Sequence, residues 1–376
     1  MSNRDRYAHV AGWGMYVPAT RLTNHELTQR VETTDEWIRT RTGIVERRVA
    51  GEHETTASMA TEAGLRALER AGVAPDDVDA IIVATVTGDY VTPSTACLVQ
   101  AGLGAANAAA FDVSAGCAGF IYALSLARMG IVSGQWNRVL VVGAETLSRF
   151  TDWSDRNTCV LFGDGAGALV LVAGEQPGGV LSTILHADGS GADLLLIPAG
   201  GSRLPASAET VSARQHSIRM DGPAVFRFAT RVMPAAIEEV AQAAGMRLDE
   251  IDLVIPHQAN VRIIESARKH LSLPEKAIFV NIDRYGNTSA ASIPIALCQA
   301  VEEGRLTDGS RLVVVGFGAG LTWAAAALRW GVPRPARPLT GSARAWLRLR
   351  YLLGGLRMRL RRLLYSLLRF LPGGEE

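Results

Sequence analysis

Residues 71–83 read AGVAPDDVDAIIV, and residues 244–256 read AGMRLDEIDLVIP. The stretches lie 173 residues apart, and Ala71, Gly72, Asp76 and Asp79 recur as Ala244, Gly245, Asp249 and Asp252. At the same offset RVLVVG (138–143) lies over RLVVVG (311–316). Two separate matches at one offset argue for a duplicated unit. With only two copies, the result is a pair of pseudo-symmetric halves and not a solenoid.

Each copy follows one local logic. Apolar residues at helical spacing (Met59, Ala63, Leu65 and Leu68; then Val232, Ile237, Val240 and Ala244) predict a helix. It stops at an Ala-Gly, where glycine takes a left-handed cap. An Asp-rich turn follows. Then an unbroken apolar run, AIIVAT or LVIP, predicts a strand buried on both faces. Strands alternating with helices give an α/β fold with a mainly parallel, helix-covered sheet in each half. The expected halves are residues 1–175 and 176–330.

The chain has 376 residues, long for one core, which fits two domain-sized halves. Its 48% hydrophobic and 20% charged residues are those of an ordinary soluble globular protein. Cys97, Cys117, Cys159 and Cys298 form no CxxC pair and no ligand spacing, so neither a metal site nor a disulfide framework is expected. A reducing cytoplasm fits that cysteine usage. The N-terminal MSNRDRYAHV lacks an apolar stretch of signal-peptide length.

The repeat sets DVSAGCAGFIYAL (112–124) against RYGNTSAASIPIAL (284–297), with Cys117 opposite Ala290. Small residues before an apolar helical stretch predict two closely packed helix starts. A cysteine there would feel the helix dipole and free N–H groups, which favour a thiolate. The other three cysteines read as buried free thiols. PHQAN (256–260) follows a buried strand, so His257 falls at a strand's C-terminal end, where α/β proteins bind ligands. In GNTSAASIP (286–294), Asn287 stands at a turn before a helix. Taken alone, that histidine could be a satisfied polar group and that asparagine a cap.

DVSAGCAGF, PHQAN and GNTSAASIP, in this order, resemble the 3-oxoacyl-[acyl-carrier-protein] synthase III family of the thiolase superfamily. The resemblance covers about residues 7–330 and includes DEWIRTRTGI (35–44), SDRNT (154–158), FGDGAGA (162–168), HADGSG (186–191) and GFGAGLTW (316–323). It implies a five-layer αβαβα sandwich. It also implies decarboxylative condensation of an acyl-coenzyme A with malonyl-acyl carrier protein, with no metal and no separate cofactor. By the same resemblance Cys117 is the nucleophile, and the backbone of Cys117 and Ala319 forms the oxyanion hole. His257 and Asn287 bind the malonyl thioester, and Phe317 is the aromatic wall. Trp37, Arg41, Arg156 and Asn260 meet coenzyme A, and Thr92 borders the acyl pocket from a dimer-interface loop. Threonine there, in place of a bulky aromatic, leaves room for medium or long chains. Arg227, Arg262, Arg268 and Lys269 form a basic mouth for the acidic carrier protein. FGDGAGA lacks the dinucleotide fingerprint and reads as tight packing near the site.

The net charge of +1 hides an asymmetry. Residues 331–376 hold ten arginines against Glu375 and Glu376, while the body is mildly acidic. GVPRPARPLTGS (331–342) reads as a linker. In 343–371, Trp346, Leu349, Leu353, Leu356, Leu360, Leu364, Leu367 and Leu371 form one helical stripe. Arg344, Arg348, Arg359, Arg362 and Arg369 fall opposite, and Gly354-Gly355 predicts a kink. The basic 343–376 segment is expected to lie on an anionic membrane surface, which would make a cytoplasmic protein peripheral on the inner face. Docking on the chain's own acidic body or on a partner is the alternative. No nucleic-acid partner is expected. Two further functional readings stand beside condensation: an acyltransferase or acyl–acyl condensing enzyme on the same fold, and a non-catalytic membrane-tethered scaffold.

Overall fold

The structure, a computed structural model, describes residues 6–331 together with Ala345, Trp346, Leu349, Leu353, Leu356 and Leu360 of the tail. The first half runs β1 (Tyr7–Tyr16), β2 (Arg21–Thr23), α1 (Asn24–Leu27), α2 (Asp35–Thr42), β3 (Glu46–Arg48) and α3 (Thr56–Ala71). It continues with β4 (Ala80–Ala84), α4 (Thr95–Leu103), β5 (Ala109–Val113), α5 (Gly119–Val132), β6 (Arg138–Thr146), α6 (Arg156–Cys159) and β7 (Asp164–Gly174). The second half opens with β8 (Gly179–Ala187), β9 (Leu195–Leu196), α7 (Ala208–Ser212), β10 (Arg219–Met220) and α8 (Gly222–Ala243). It closes with β11 (Leu253–Pro256), α9 (Val261–His270), α10 (Ile282–Tyr285), α11 (Ser292–Glu302), β12 (Arg311–Gly318) and β13 (Thr322–Arg329).

The offset read from sequence holds in three dimensions: β4, α5 and β6 each begin 173 residues before β11, α11 and β12. Local chemistry sets the boundaries. The Thr55 hydroxyl caps the N-terminus of α3, and Gly72 closes that helix at φ +68°.

The first sheet has the order β1-β7-β6-β4-β5. The second has the order β8-β13-β12-β11, matching it strand for strand. Where the first sheet has β5, the second keeps a single parallel bridge between Val254 and Ile278. Each sheet is mixed, which differs from the mainly parallel expectation. β4 is parallel to β5 and β6, and β11 to β12, while β7 and β13 run antiparallel to their neighbours. In the second sheet connection length decides it: β12 reaches β13 through three residues, enough for a hairpin but not for a crossover.

The sheets stack as two of five layers. Ile82 and Ala84 of β4 face one core with Phe120 and Leu124 of α5, Ile293 and Leu297 of α11, and Leu312 and Val314 of β12. Ile81 and Val83, on the opposite face of β4, pack against α3 and α4. Val313 and Val315, on the opposite face of β12, pack against α8 and α9. The order is therefore helices, sheet, central α5 and α11, sheet, helices. Both sheets are buried on both faces, which is why their strands read as unbroken apolar runs.

The layers meet most closely where the helix-start turn 289–291 rests on β6. A Cβ built on Gly143 would lie 2.2 Å from the Ala290 carbonyl oxygen. Gly143→Ala is therefore expected to destabilise the protein by about 1–3 kcal/mol through overpacking. A urea midpoint equal to that of the parent would show that this contact does not hold the turn.

Candidate active site

Cys117 occupies a 3-10 turn, Gly116–Ala118, that leads into α5. The end of β12 lies directly against that turn. A Cβ on Gly318 would fall 2.4 Å from the Cys117 nitrogen, so only glycine lets the two backbones approach. Gly116, at φ +53°, is pressed in the same way against Ala319. Cys117, Ser289 and Ala319 together border one cavity of about 220 Å3.

The thiol does not follow the helix-end expectation. Burial pushes Cys117 up to about 12, while the neighbouring Ser289 hydroxyl works in the opposite direction. Desolvation thus outweighs the helix terminus, and the resting group is a neutral thiol. Cys159 and Cys298 are buried with raised thiols, as sequence implied, but Cys97 is exposed near the start of α4.

His257 follows β11 immediately. Its N–H donates to the Val315 carbonyl at 2.7 Å, which continues the β11–β12 pairing. Its ring meets Phe317 edge-on, with centroids 5.4 Å apart and planes at 73°. Desolvation lowers it to about 3, so the imidazole is neutral, and among the described residues its buried Nδ1 has no hydrogen-bond partner. The neighbouring Gln258, which sequence reading passed over, locks this loop. Its Nε2 donates to Pro256 and Phe279 carbonyls, and its Oε1 accepts from the Asn281 N–H.

Asn287 is fixed by its backbone and its side chain. Its N–H donates to the Leu161 carbonyl at 2.8 Å, and its own carbonyl accepts from Gly163 at 3.0 Å. Its Oδ1 accepts from the Ser289 N–H at 2.8 Å. The amide oxygen is thus occupied, and Nδ2 carries the donors that remain. FGDGAGA is the entry to β7 that bolts Asn287 in place.

The cavity beside Cys117 is walled by Val86, Leu147, Phe162, Leu195, Leu196, Ile197 and Ile218. Apart from Phe162, which opens FGDGAGA, the sequence marks none of these seven. They come from loops and from the β9–β10 ribbon inserted between β8 and α8, where no periodicity marks a shared wall. Thr92 is exposed and borders no part of this chain's own cavity. It follows Tyr90 and Val91, which are 63% and 98% exposed, so a place for Thr92 at an acyl pocket requires a second copy of the chain.

Trp37 of α2 carries two cations, with Arg156 at 5.0 Å and Arg41 at 5.7 Å from the ring centroid. Asn260 caps α9 by accepting from the Arg262 N–H, and its Nδ2 donates to the Arg41 carbonyl. It joins α2 to α9, a structural role that sequence reading did not assign. Arg227, Arg262 and Lys269 are exposed, and Arg262 lies over Phe226. Arg268, also expected at the basic mouth, is half-buried, paired with Glu265 at 2.9 Å, and donates to the Leu273 carbonyl at the end of its own helix. Arg231, one turn after Arg227, is exposed as well.

The duplicated five-layer fold, with a cysteine at the start of one central helix, is that of the thiolase-type condensing enzymes. Two family models match the chain: 3-oxoacyl-[acyl-carrier-protein] synthase III over residues 111–189, and the C-terminal part of the same synthase over 241–330. The beta-ketoacyl-[acyl-carrier-protein] synthase III of Caldanaerobacter subterraneus is 54% identical over 323 residues, covering 86% of this chain and 98% of that protein. That of Symbiobacterium thermophilum is 55% identical over 322 residues, with the same coverage of each. The crystal structure of the Aquifex aeolicus synthase III superposes with a TM-score of 0.80 at 48% identity, covering 86% of this chain and all of that one. The chain belongs to the 3-oxoacyl-[acyl-carrier-protein] synthase III family, and it is an acyltransferase-type condensing enzyme.

The buried imidazole has a measurable consequence. Its folded value lies below its unfolded one, so the unfolded state binds a proton that the folded state refuses between about pH 6.5 and 3. The stability of the parent relative to His257→Gln should fall as pH drops from about 6.5, by up to about 1.4 kcal/mol per pH unit. Paired urea titrations would measure it, and a difference independent of pH would contradict a buried neutral imidazole.

Proposed function

We propose that this protein joins an acyl group from an acyl-coenzyme A to malonyl-acyl carrier protein, releasing carbon dioxide and coenzyme A and yielding a 3-oxoacyl-carrier protein that starts fatty-acid or related biosynthesis. The observation that carries the reading is Cys117 at an apolar cavity, pressed on the end of β12 whose Phe317 meets the neutral His257 imidazole, and packed against the turn that fixes the Asn287 amide. Such a site presents one nucleophile and neutral hydrogen-bond donors. Decarboxylation to a carbanion needs that combination.

Cys117 attacks the acyl thioester. The N–H groups of Cys117 and Ala319 hold the developing oxyanion, and coenzyme A leaves as its thiol. Malonyl-carrier protein then enters, and its thioester carbonyl accepts hydrogen bonds from His257 and from Asn287 Nδ2. Loss of carbon dioxide leaves an enolate held by the same two donors, and its carbon attacks the acyl-cysteine. Phe317 keeps the surroundings apolar, which destabilises the charged carboxylate that departs. Coenzyme A and the carrier protein act as substrates, with no separate cofactor. The idle-scaffold and acyl–acyl alternatives gain no support from relatives that are about half identical over nearly their whole length.

The adenine of coenzyme A stacks on Trp37, with Arg156 over the ring and Arg41 near the phosphates. Asn260 holds the two helices that flank the pantetheine arm. Arg227, Arg231, Arg262 and Lys269 receive the acidic carrier protein. The protein acts as a homodimer in which Tyr90, Val91 and Thr92 of one protomer reach the other's acyl cavity. The apolar cavity wall and the small Thr92 side chain favour medium or long acyl chains.

The tail adds a surface. The matched family region ends at residue 330, before it begins. The six described tail residues are helical and exposed, with Leu349, Leu353, Leu356 and Leu360 all at least 50% accessible on one stripe. The linker from residue 332, and Leu364, Leu367 and Leu371, lie outside the described residues. Among the described residues no helix is long and apolar enough to cross a membrane. An apolar stripe in a segment with ten arginines and two acids suits the surface of an anionic bilayer, with the enzyme peripheral on the cytoplasmic side.

Exposure to acyl-coenzyme A should leave one acyl adduct, located by mass spectrometry on Cys117 and absent from Cys117→Ala. An adduct on another residue would sink the nucleophile assignment, and adducts confined to two- to four-carbon groups would sink the chain-length reading. Phosphatidylglycerol vesicles should float the full-length protein and leave a chain ending at Gly331 behind. Equal flotation of the two would remove the membrane role.

A further inference from the structure

Glu145, the penultimate residue of β6, is fully buried, and the reaction described above makes no use of it. Four groups face its carboxyl. Thr85 Oγ1 donates at 3.2 Å, the Val86 N–H at 3.2 Å, Thr87 Oγ1 at close range, and Ser289 Oγ at 3.0 Å. The titratable group beyond Ser289 is Cys117: the two residues border one cavity, the turns that carry them pack together, and the Cys117 thiol interacts electrostatically with Glu145. Asp164, the nearby carboxyl on β7, turns away to Ser148 and the Ala50 N–H. The three residues come from three separate elements: β6, the 289–291 turn and the 116–118 turn.

Ser289 is held for this contact. It adopts φ +47°, a left-handed conformation that is uncommon outside glycine, and such strain persists only where the surroundings impose it. Its N–H fixes the Asn287 amide while its hydroxyl donates to Glu145 at the edge of the cavity it shares with Cys117. A serine hydroxyl has one proton. With that proton given to Glu145, the oxygen keeps lone pairs that can accept from Cys117.

We propose that Glu145 is the terminal proton acceptor for Cys117, reached through the Ser289 hydroxyl. The proposal rests on Cys117 being the acylated nucleophile. As sulfur attacks the acyl carbon, the Sγ–H proton passes to Ser289 Oγ and the Ser289 proton passes to Glu145 Oε1. The new sulfur–carbon bond forms and the bond from the acyl carbon to the coenzyme A sulfur breaks. The proton held by Glu145 then returns to the departing coenzyme A sulfur, so the carboxylate ends as it began. Burial supports this division of labour. The thiol, up at about 12, ionises poorly alone, and Glu145, pushed up to about 7 by burial, sits in the range where a proton acceptor works best near neutral pH. Glu145 must be ionised to accept, so acylation should be present above about pH 7 and lost below it.

Single-turnover acylation of Cys117, followed by mass spectrometry from about pH 5.5 to about 9, tests the relay. The parent should lose about tenfold in rate per pH unit below 7. Glu145→Gln should acylate on the order of 100-fold more slowly and lose that limb. Glu145→Asp should recover part of the rate with the limb displaced. Ser289→Ala breaks the relay while leaving the buried carboxyl in place, so it decides the matter if Glu145→Gln fails to fold, and it too should lose the limb. Either variant keeping the parent's limb overturns the proposal, even with a lower rate, because that is the signature of a structural role alone. No Cys117 adduct in the parent would instead count against the condensing reaction itself.

Discussion

The contact between two pieces of backbone, the Cys117 turn and the end of β12, governs the rest of this structure. Where a side chain on Gly318 would lie 2.4 Å from the Cys117 nitrogen, there is no room for adjustment. The cysteine belongs to the first half of the duplication and β12 to the second. Their approach fixes the halves relative to one another, and every group that faces the sulfur inherits its position from that junction. His257 is held at the end of β11 because β11 is hydrogen-bonded to β12. Asn287 is placed by the turn before α11, which packs on the Cys117 turn and on β6.

The same junction excludes water, and that shapes the electrostatics. The thiol is pushed up, the imidazole down and the Glu145 carboxyl up, and burial is the leading cause in each case. A site that disfavours charge in its resting groups makes any charge created during reaction dependent on preplaced donors. Backbone amides and the Asn287 amide can serve as such donors without reorganising. Charge is instead kept at the periphery, where Arg41 and Arg156 lie over Trp37 and the exposed arginines of α8 and α9 meet solvent.

The legibility of each residue followed from whether its role is local. Cys117, His257 and Asn287 stood out because each sits in a short string of small or turn-forming residues at an element end. Glu145 did not, because one glutamate ending an apolar run looks like any strand terminus until its four partners from distant segments are in view. Arg268 shows the opposite case. Its charge was visible, but its commitment to Glu265 and Leu273 was a matter of rotamer. The helix-end effect expected for the Cys117 thiol was local too, and burial, which is not local, overrode it.

The sequence alone determined the duplication, the strand and helix order and the residues at helix starts. Those follow from patterns repeated within a few residues and at one fixed offset. Tertiary structure decided the mixed strand directions, the seven residues that wall the cavity and the placing of Ser289 between Glu145 and the Cys117 cavity. Those depend on which distant segments share a dry interior, and no short-range pattern records who one's neighbours across a core will be.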